Sequence, residues 1–393
     1  MTFRRVRYFI FLKDVLILAV TAFGGPQGHL AMFLDLLVTK RGYLSEEDLL
    51  ELYALCQILP GPTSTQTITS IGYRIGGANL AYLTLLIWML PAVTIMTLAA
   101  IMVISFQELD ISLNFLRFIQ PMAVGIVAFS AYKISSKVVN TNVGFFLMIL
   151  SAMGSFYMPT PYLLPVFLLF GGLVTALNYK DHPREEKNKL KIKWNNFVLW
   201  GAVLFVAAIV GAIMDYRLVK LFENFYRNGS LIFGGGQVLV PLLYTEFVEF
   251  KKFLSSEEFI SGYGFVQAIP GPVFSFSGYV GALSMRDAGL AGQITGSIVA
   301  SIGIFLPGTF LIFFVIRFWD EMKKYRFVRA SLEGIHAVSA GLVIAATMLL
   351  FAPIEGTNLN YFLMIGTSIT LYFTKIPAPV IILCGLILGI VIS

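Results

Sequence analysis

Four short stretches of this chain hold the residues best suited to grip a ligand. Phe23-Gly24-Gly25-Pro26-Gln27 and Phe233-Gly234-Gly235-Gly236-Gln237 form one pair. Gln57-Ile58-Leu59-Pro60-Gly61-Pro62 and Gln267-Ala268-Ile269-Pro270-Gly271-Pro272 form the other. Gly and Pro interrupt helices, and the half-helices beginning near Pro26 and near Thr63 have free N-termini, whose N–H groups and dipoles favour an anion. The segment after the first Pro-Gly-Pro, Thr63-Ser64-Thr65-Gln66-Thr67, packs hydroxyl and amide donors into one turn. Neutral donors can converge on a tetrahedral oxyanion without trapping it. The candidate binding residues of the first half are therefore Gly24, Gly25, Pro26, Gln27, Gly61, Thr63, Ser64, Thr65 and Gln66. Those of the second are Gly234, Gly235, Gln237, Gly271 and Ser275. The second half is poorer in donors, because Phe274 and Phe276 flank Ser275 and Ser277.

A second set could carry charge or protons. His29 and Asp35 follow the first Gly-Gly break, and Arg117, Glu333 and His336 lie in other apolar segments. Ionisable groups at membrane depth are costly and usually functional. An Arg117–Glu333 pair is one reading; both side chains snorkelling to an interface is the other. His29 and His336 could relay protons or serve as packing residues. No Walker loop and no His/Cys/carboxylate cluster at metal spacing is seen, so neither an enzyme nor a cofactor is expected. Cys56 and Cys384 read as small core residues.

The elements that must position these residues are membrane helices. Of 393 residues, 57% are hydrophobic and only 13% charged, and mean hydropathy is +0.81. Soluble domains carry about 25% charged residues. Ala78 to Ile104 contains no charge and can cross a ~30 Å hydrocarbon core. The net charge of +6 comes from basic residues between apolar segments, which suits a bilayer rather than nucleic acid.

Both motif pairs are offset by 210 residues, as are Leu44-Ser45-Glu46-Glu47 and Leu254-Ser255-Ser256-Glu257. The chain thus reads as a repeat at 1–179, a polar linker at 180–196, one extra transmembrane helix at 197–214 and a second repeat at 215–393. Four apolar segments follow the breaks in each copy, at about 79–105, 112–138, 142–157 and 160–178, then 288–316, 328–351, 359–374 and 377–392. The single extra crossing inverts the second copy. Loop charge agrees: Gln107-Glu108-Leu109-Asp110 lacks a basic residue, whereas its counterpart carries Lys323, Lys324, Arg326 and Arg329. The equivalent basic pairs Lys40-Arg41 and Lys251-Lys252 fit inversion less well. The expected fold is an all-α polytopic membrane protein of two inverted repeats, with broken or re-entrant helices and about 13 membrane segments. The basic N-terminus and the linker are expected in the cytoplasm.

The stretches FGGPQGHLAM, GYLSEED, QILPGPTSTQ and GYRIGG, followed by FGGGQVLVPLL, KFLSSEEF, QAIPGPVFSFSGYVGAL and FLPG, resemble the chromate ion transporter family in its long, two-domain form. The resemblance implies a secondary transporter in a prokaryotic plasma membrane that exports chromate, with sulfate as a structural analogue. Tyr43 and Phe253 stand where the family often has Trp, and Asp35 stands near a position where it often has Glu, which leaves the coupling residue open. The expected function is export of chromate or a related oxyanion by alternating access. It is driven by an ion gradient, with the proton as candidate, or by the membrane potential. The alternatives are a transporter of sulfate or another anion, and an anion channel of the same fold. The expected partners are the oxyanion and the bilayer, with a homodimer allowed for.

Overall fold

The computed structural model describes residues 3–23, 25–109, 116–160, 163–177, 194–214, 216–233, 236–316, 325–354, 356–374 and 376–392. These are helical throughout apart from turns and connections. In chain order the helices are α1 (Phe3–Thr21), α2 (Gly25–Phe33), α3 (Glu46–Ile58), α4 (Thr63–Glu108), α5 (Ile119–Val138), α6 (Asn142–Tyr157), α7 (Leu163–Leu177) and α8 (Asn195–Ile213). Then come α9 (Arg217–Leu231), α10 (Gly236–Tyr244), α11 (Ser256–Ala268), α12 (Phe276–Leu283), α13 (Gly289–Val315), α14 (Arg326–Phe351), α15 (Asn358–Phe373) and α16 (Ala378–Ile392). α8 lies where one extra helix, at 197–214, is expected.

Local sequence explains the breaks. Ser45 starts α3 with a capping box, its hydroxyl accepting from the Asp48 N–H while Asp48 reaches back to the Ser45 backbone. Gly61 and Gly271 stand at φ 120° and φ 101°, a region that disfavours a Cβ. The 210-residue offset extends to the helices themselves. α3 and α11 are each 13 residues long and start 210 apart. α2 and α10 both run on into π-helical turns, Leu34–Lys40 and Thr245–Phe250.

Those π turns have a chemical consequence. A wider turn brings residues i and i+5 onto one face, where an α-helix would separate them. Lys40 pairs with Asp35 at 2.7 Å, and Lys251 with Glu246 at 3.1 Å. The first pair is solvated; the second has its carboxylate buried.

Four helices are long and apolar enough to cross a membrane by length and composition: Thr63–Glu108, Asn195–Ile213, Arg286–Val315 and Arg329–Phe351. Shorter apolar helices cover 142–157, 163–177, 273–283 and 378–391. Large apolar side chains such as Leu86, Leu90 and Leu98 face outward, as lipid-facing residues do. The protein is a multi-pass helical membrane protein.

α4 is not one straight rod. Gly77 has φ 76° and ψ −166°, outside helical geometry. In a straight helix, Thr65 and Trp88 would stand roughly 34 Å apart; their side chains are instead hydrogen-bonded at 3.1 Å. The chain therefore reverses at Gly77, and Thr63–Gly76 lies antiparallel to the limb that follows. Gly289, with φ 65° and ψ −171°, marks the equivalent reversal between α12 and α13.

The chain divides into two compact units, each drawing on both halves of the sequence. The first comprises residues 1–111, 194–230 and 265–316, the second 112–193, 231–264 and 317–393. In the second unit α14 packs on α5, α6 and α7 through glycines. The backbones of Gly171 and Gly334 touch, and Ser151 donates to the Val338 carbonyl at 3.1 Å. Small residues at crossings are how helices approach closely in lipid. The linker up to residue 193, and Asp110, Lys323, Lys324 and Glu355 of the loops, lie outside the described residues.

Candidate functional site

Two helical hairpins in the first unit place the first half's motifs at their tips. α3 and Thr63–Gly76 run side by side, closed at the base by the Arg74–Asp48 ion pair, with Pro60-Gly61-Pro62 at the tip. The Asp48 carboxyl is held below its ordinary value, first by the Ser45 hydroxyl and then by Arg74. α1 and the α2 segment form the other hairpin, tipped by the Gly-Gly break. Asp14, fully buried on α1, anchors its base. It accepts from the Arg41 guanidinium and the Tyr43 hydroxyl, both at 2.8 Å. Burial and the bond to Asp14 push the Tyr43 phenol up to about 12.

The tips meet. Trp88 is fully buried, lies edge-on to His29 at 5.3 Å, and donates its indole N–H to the Thr65 oxygen. His29 has 1% exposure; it lies against the Ala22 carbonyl, yet neither ring nitrogen makes a well-formed hydrogen bond. The second Pro-Gly-Pro motif reaches the same cluster through Gly271. The Gly271 N–H donates to the Ala22 carbonyl at 2.9 Å, and Ser275 is buried with an unpartnered hydroxyl.

At the start of α4, the first helical bond is Gln66 N–H to Pro62 carbonyl. The N–H groups of Thr63, Ser64 and Thr65 therefore lie outside the helix's own ladder, and Pro62 supplies no side-chain cap. Thr69 lies one turn beyond Thr65 on the same face, and its buried hydroxyl also lacks a partner. Buried polar groups are nearly always hydrogen-bonded, so this cluster of unspent ones can accommodate a polar ligand.

Gln66 departs from its expected role as an anion donor. Its amide nitrogen donates to the Pro60 carbonyl at 2.8 Å and the Gly308 carbonyl at 3.1 Å. Two facing carbonyls fix which end is nitrogen. Both amide hydrogens are spent, one on the turn and one on α13, and the oxygen left over is an acceptor.

The other expected residues fall as follows. Gly25, at φ 66°, opens α2, with Pro26 beside it. Gln27 and Gln237 are in helical backbone, with side chains outside the described set, and Gly24, Gly234 and Gly235 are outside it altogether. Asp35 is exposed and paired with Lys40, apart from the His29 cluster. Arg117, Glu333 and His336 belong to the second unit. There the Arg117 guanidinium lies 4.6 Å from the Phe118 ring centroid, and Glu333 accepts from the Thr141 hydroxyl at 2.7 Å. Among the described residues no group of three or more His, Cys, Asp or Glu could hold a metal.

The sequence reading missed Asp14, Trp88, Thr69 and Glu246. Asp14 and Glu246 had an available signal, because each is a carboxylate within an apolar run. Trp88 had none, since an aromatic in a membrane span is ordinary.

Comparison with known proteins gives a consistent picture. The profile described as "Chromate transporter" matches residues 10–177 and again 219–390. An uncharacterized transporter of Methanocaldococcus jannaschii is 26% identical over 383 residues, covering 95% of this chain and 92% of the relative. The chromate transport protein of Cupriavidus metallidurans is 24% identical over 379 residues, covering 95% and 90%. A probable chromate transport protein of Synechococcus elongatus is 24% identical over 376 residues, covering 95% and 93%. No solved structure matches the chain. With both halves matched, the chain belongs to the chromate transporter family, whose members are transporters and not enzymes.

Proposed function

We propose that this chain is a secondary transporter that exports chromate or a related tetrahedral oxyanion by alternating access around the two hairpin tips of the first unit. The observation that carries the reading is the set of unspent donors at the start of α4. Three backbone N–H groups lie outside the helical ladder there, the Thr69 hydroxyl and the His29 ring are buried without partners, and Ser275 of the same unit is buried and unpartnered as well. A dianion requires several converging donors, and neutral ones release it again. Gly61 keeps the tip narrow, because a Cβ there would collide with the Gln66 amide and the Gly308 backbone. Two relatives named as chromate transport proteins support the substrate class.

The architecture that suits this function is a pair of inverted repeats, residues 1–179 and 215–393, joined by the 180–196 linker and the single span at 197–214. Matching breaks, matching helix lengths and reversed loop charges support it. On this reading the broken helices are re-entrant hairpins, about 13 segments lie in the plasma membrane of a prokaryote, and the N-terminus and linker are cytoplasmic. Energy comes from an ion gradient, with His29 as the group able to take up a proton, or from the membrane potential. The potential is worth ~2.3 kcal/mol per charge per 100 mV, and roughly twice that for an expelled dianion.

Tracer flux in proteoliposomes at clamped voltage, with chromate, sulfate, molybdate and phosphate, tests the proposal. Saturable chromate flux that sulfate competes for, and that responds to voltage or proton gradient, is expected. Flux that fails to saturate would mean a channel. Chromate flux indifferent to all three variables would reject the transporter reading.

A further inference from the structure

The hydroxyls at the start of α4 are spent in two different ways. Thr67 and Ser70 donate one turn back, to the Thr63 and Gln66 carbonyls at 2.8 and 2.7 Å. That is the usual fate of a hydroxyl inside a helix. Thr65 breaks the pattern. Its oxygen accepts the Trp88 indole N–H at 3.1 Å, and its own hydrogen goes to no group among the described residues. An indole can only donate, so this bond occupies a lone pair of Thr65 and leaves its hydrogen for an outside acceptor.

Trp88 is also fixed from the other hairpin. Its ring lies edge-on to His29 at 5.3 Å and against Phe33 at 5.6 Å. The reversal at Gly77 returns this one side chain to the tip of the preceding hairpin while it packs on the α1–α2 one.

Resting on the reading of the α4 start as the oxyanion site, we infer that Trp88 is a positioning residue for substrate binding. Its indole N–H orients the Thr65 hydroxyl so that its hydrogen points to the oxyanion, and its ring holds the His29 tip against the Thr65 tip. Trp88 does not itself touch the substrate.

The test is a double-mutant cycle read on the KM and Vmax of sulfate and chromate flux in proteoliposomes. Trp88→Phe keeps a ring in the space but removes the N–H; Thr65→Val removes the hydroxyl. A hydrogen bond worth about 1 kcal/mol corresponds to roughly fivefold. Each single variant is expected to raise KM about five- to tenfold with Vmax within about twofold. The combined variant should be no worse than Thr65→Val alone, and in a Thr65→Ser background the Trp88→Phe cost should return. Penalties that multiply, or a Vmax loss at unchanged KM, would overturn the inference.

A second readout uses no tryptophan variant in the measured protein. The Trp88 indole resonance of 15N-tryptophan-labelled protein should move on sulfate addition, and Thr65→Val should abolish that movement. A shift that survives Thr65→Val counts against the inference. Absence of saturable oxyanion flux in the unmodified protein would remove the site reading and this inference together; normal flux with independent penalties removes this inference alone.

Discussion

The backbone N–H of Gly271 donates to the carbonyl of Ala22 at 2.9 Å, joining the second Pro-Gly-Pro turn to the end of α1. The residues come from opposite halves of the sequence. Ala22 directly follows the last turn of α1, where the helix's own ladder leaves carbonyls without partners. At membrane depth an unsatisfied carbonyl is expensive. The break in one half is thus completed by backbone from the other.

Gly271 leaves little room for a side chain at this junction. It stands at φ 101°, and a Cβ there would lie 2.9 Å from Ala92 Cβ and 3.4 Å from the Ala19 carbonyl oxygen. Gly25 has a similarly unfavourable φ of 66° but open space around its Cβ position. Gly25→Ala should cost about 1–2 kcal/mol from backbone strain alone. Gly271→Ala adds overpacking, for a total of about 2–4 kcal/mol. Melting of the purified variants in detergent would check the order; equal losses would mean the tips relax apart.

Gln66 should behave as a structural residue rather than as a ligand. Gln66→Leu leaves the Pro60 and Gly308 carbonyls without their shared donor, at about 1–3 kcal/mol each. Gln66→Glu is worse, because it aims a carboxylate at two carbonyl oxygens. Both should lower the melting temperature and the yield of folded protein. A variant with unchanged melting and only a raised KM would restore Gln66 to the ligand set.

Glutamine shows why the site was only half legible in the sequence. Its type announces a donor and an acceptor, and only geometry reveals which end is already spent. The breaks themselves were readable, because Pro and Gly act locally, and the expected segments at 142–157, 359–374 and 377–392 match α6, α15 and α16 within about one residue. The Ser45 cap was readable for the same reason. The Thr65–Trp88 bond was not, since it depends on one reversal at Gly77 that brings together residues far apart in sequence. Nor were the partners of Asp14, because Arg41 and Tyr43 lie across a hairpin from it. The repeat carried no hint of Glu246, whose counterpart at the 210 offset is Leu36, so only its place in an apolar run could mark it.

The Asp14 cluster sets an alkaline limit on stability. Tyr43, with a pKa raised to about 12 from 10.0, donates to Asp14 only while protonated. The folded state holds the proton more tightly, so its contribution is complete below pH 10 and is lost as pH rises through about 12. Tyr43→Phe should cost about 1 kcal/mol at neutral pH. That gap from the unmodified protein should close between pH 10 and 12 as the tyrosine is forced to ionise beside the carboxylate. Asp14→Ala should cost more, about 2 kcal/mol, since half-exposed Arg41 recovers some hydration. A Tyr43→Phe gap that stays constant up to pH 12 would show the phenol to be free of Asp14.

The two π turns allow a matched comparison of one ion pair in two settings. Lys40 and Asp35 are about 60% exposed, so Lys40→Ala should change stability by less than about 0.5 kcal/mol. Glu246 is 1% exposed, and Lys251 reaches it while also lying about 6.0 Å from the Phe247 and Phe253 rings. Lys251→Ala takes this partner from a buried carboxylate, which typically costs about 3 kcal/mol. Glu246→Gln removes the charge, so in that background Lys251→Ala should become nearly silent. The double-mutant cycle in detergent melting would measure the coupling. Equal effects of Lys40→Ala and Lys251→Ala would mean that the pairing at i+5 contributes nothing to holding the buried carboxylate.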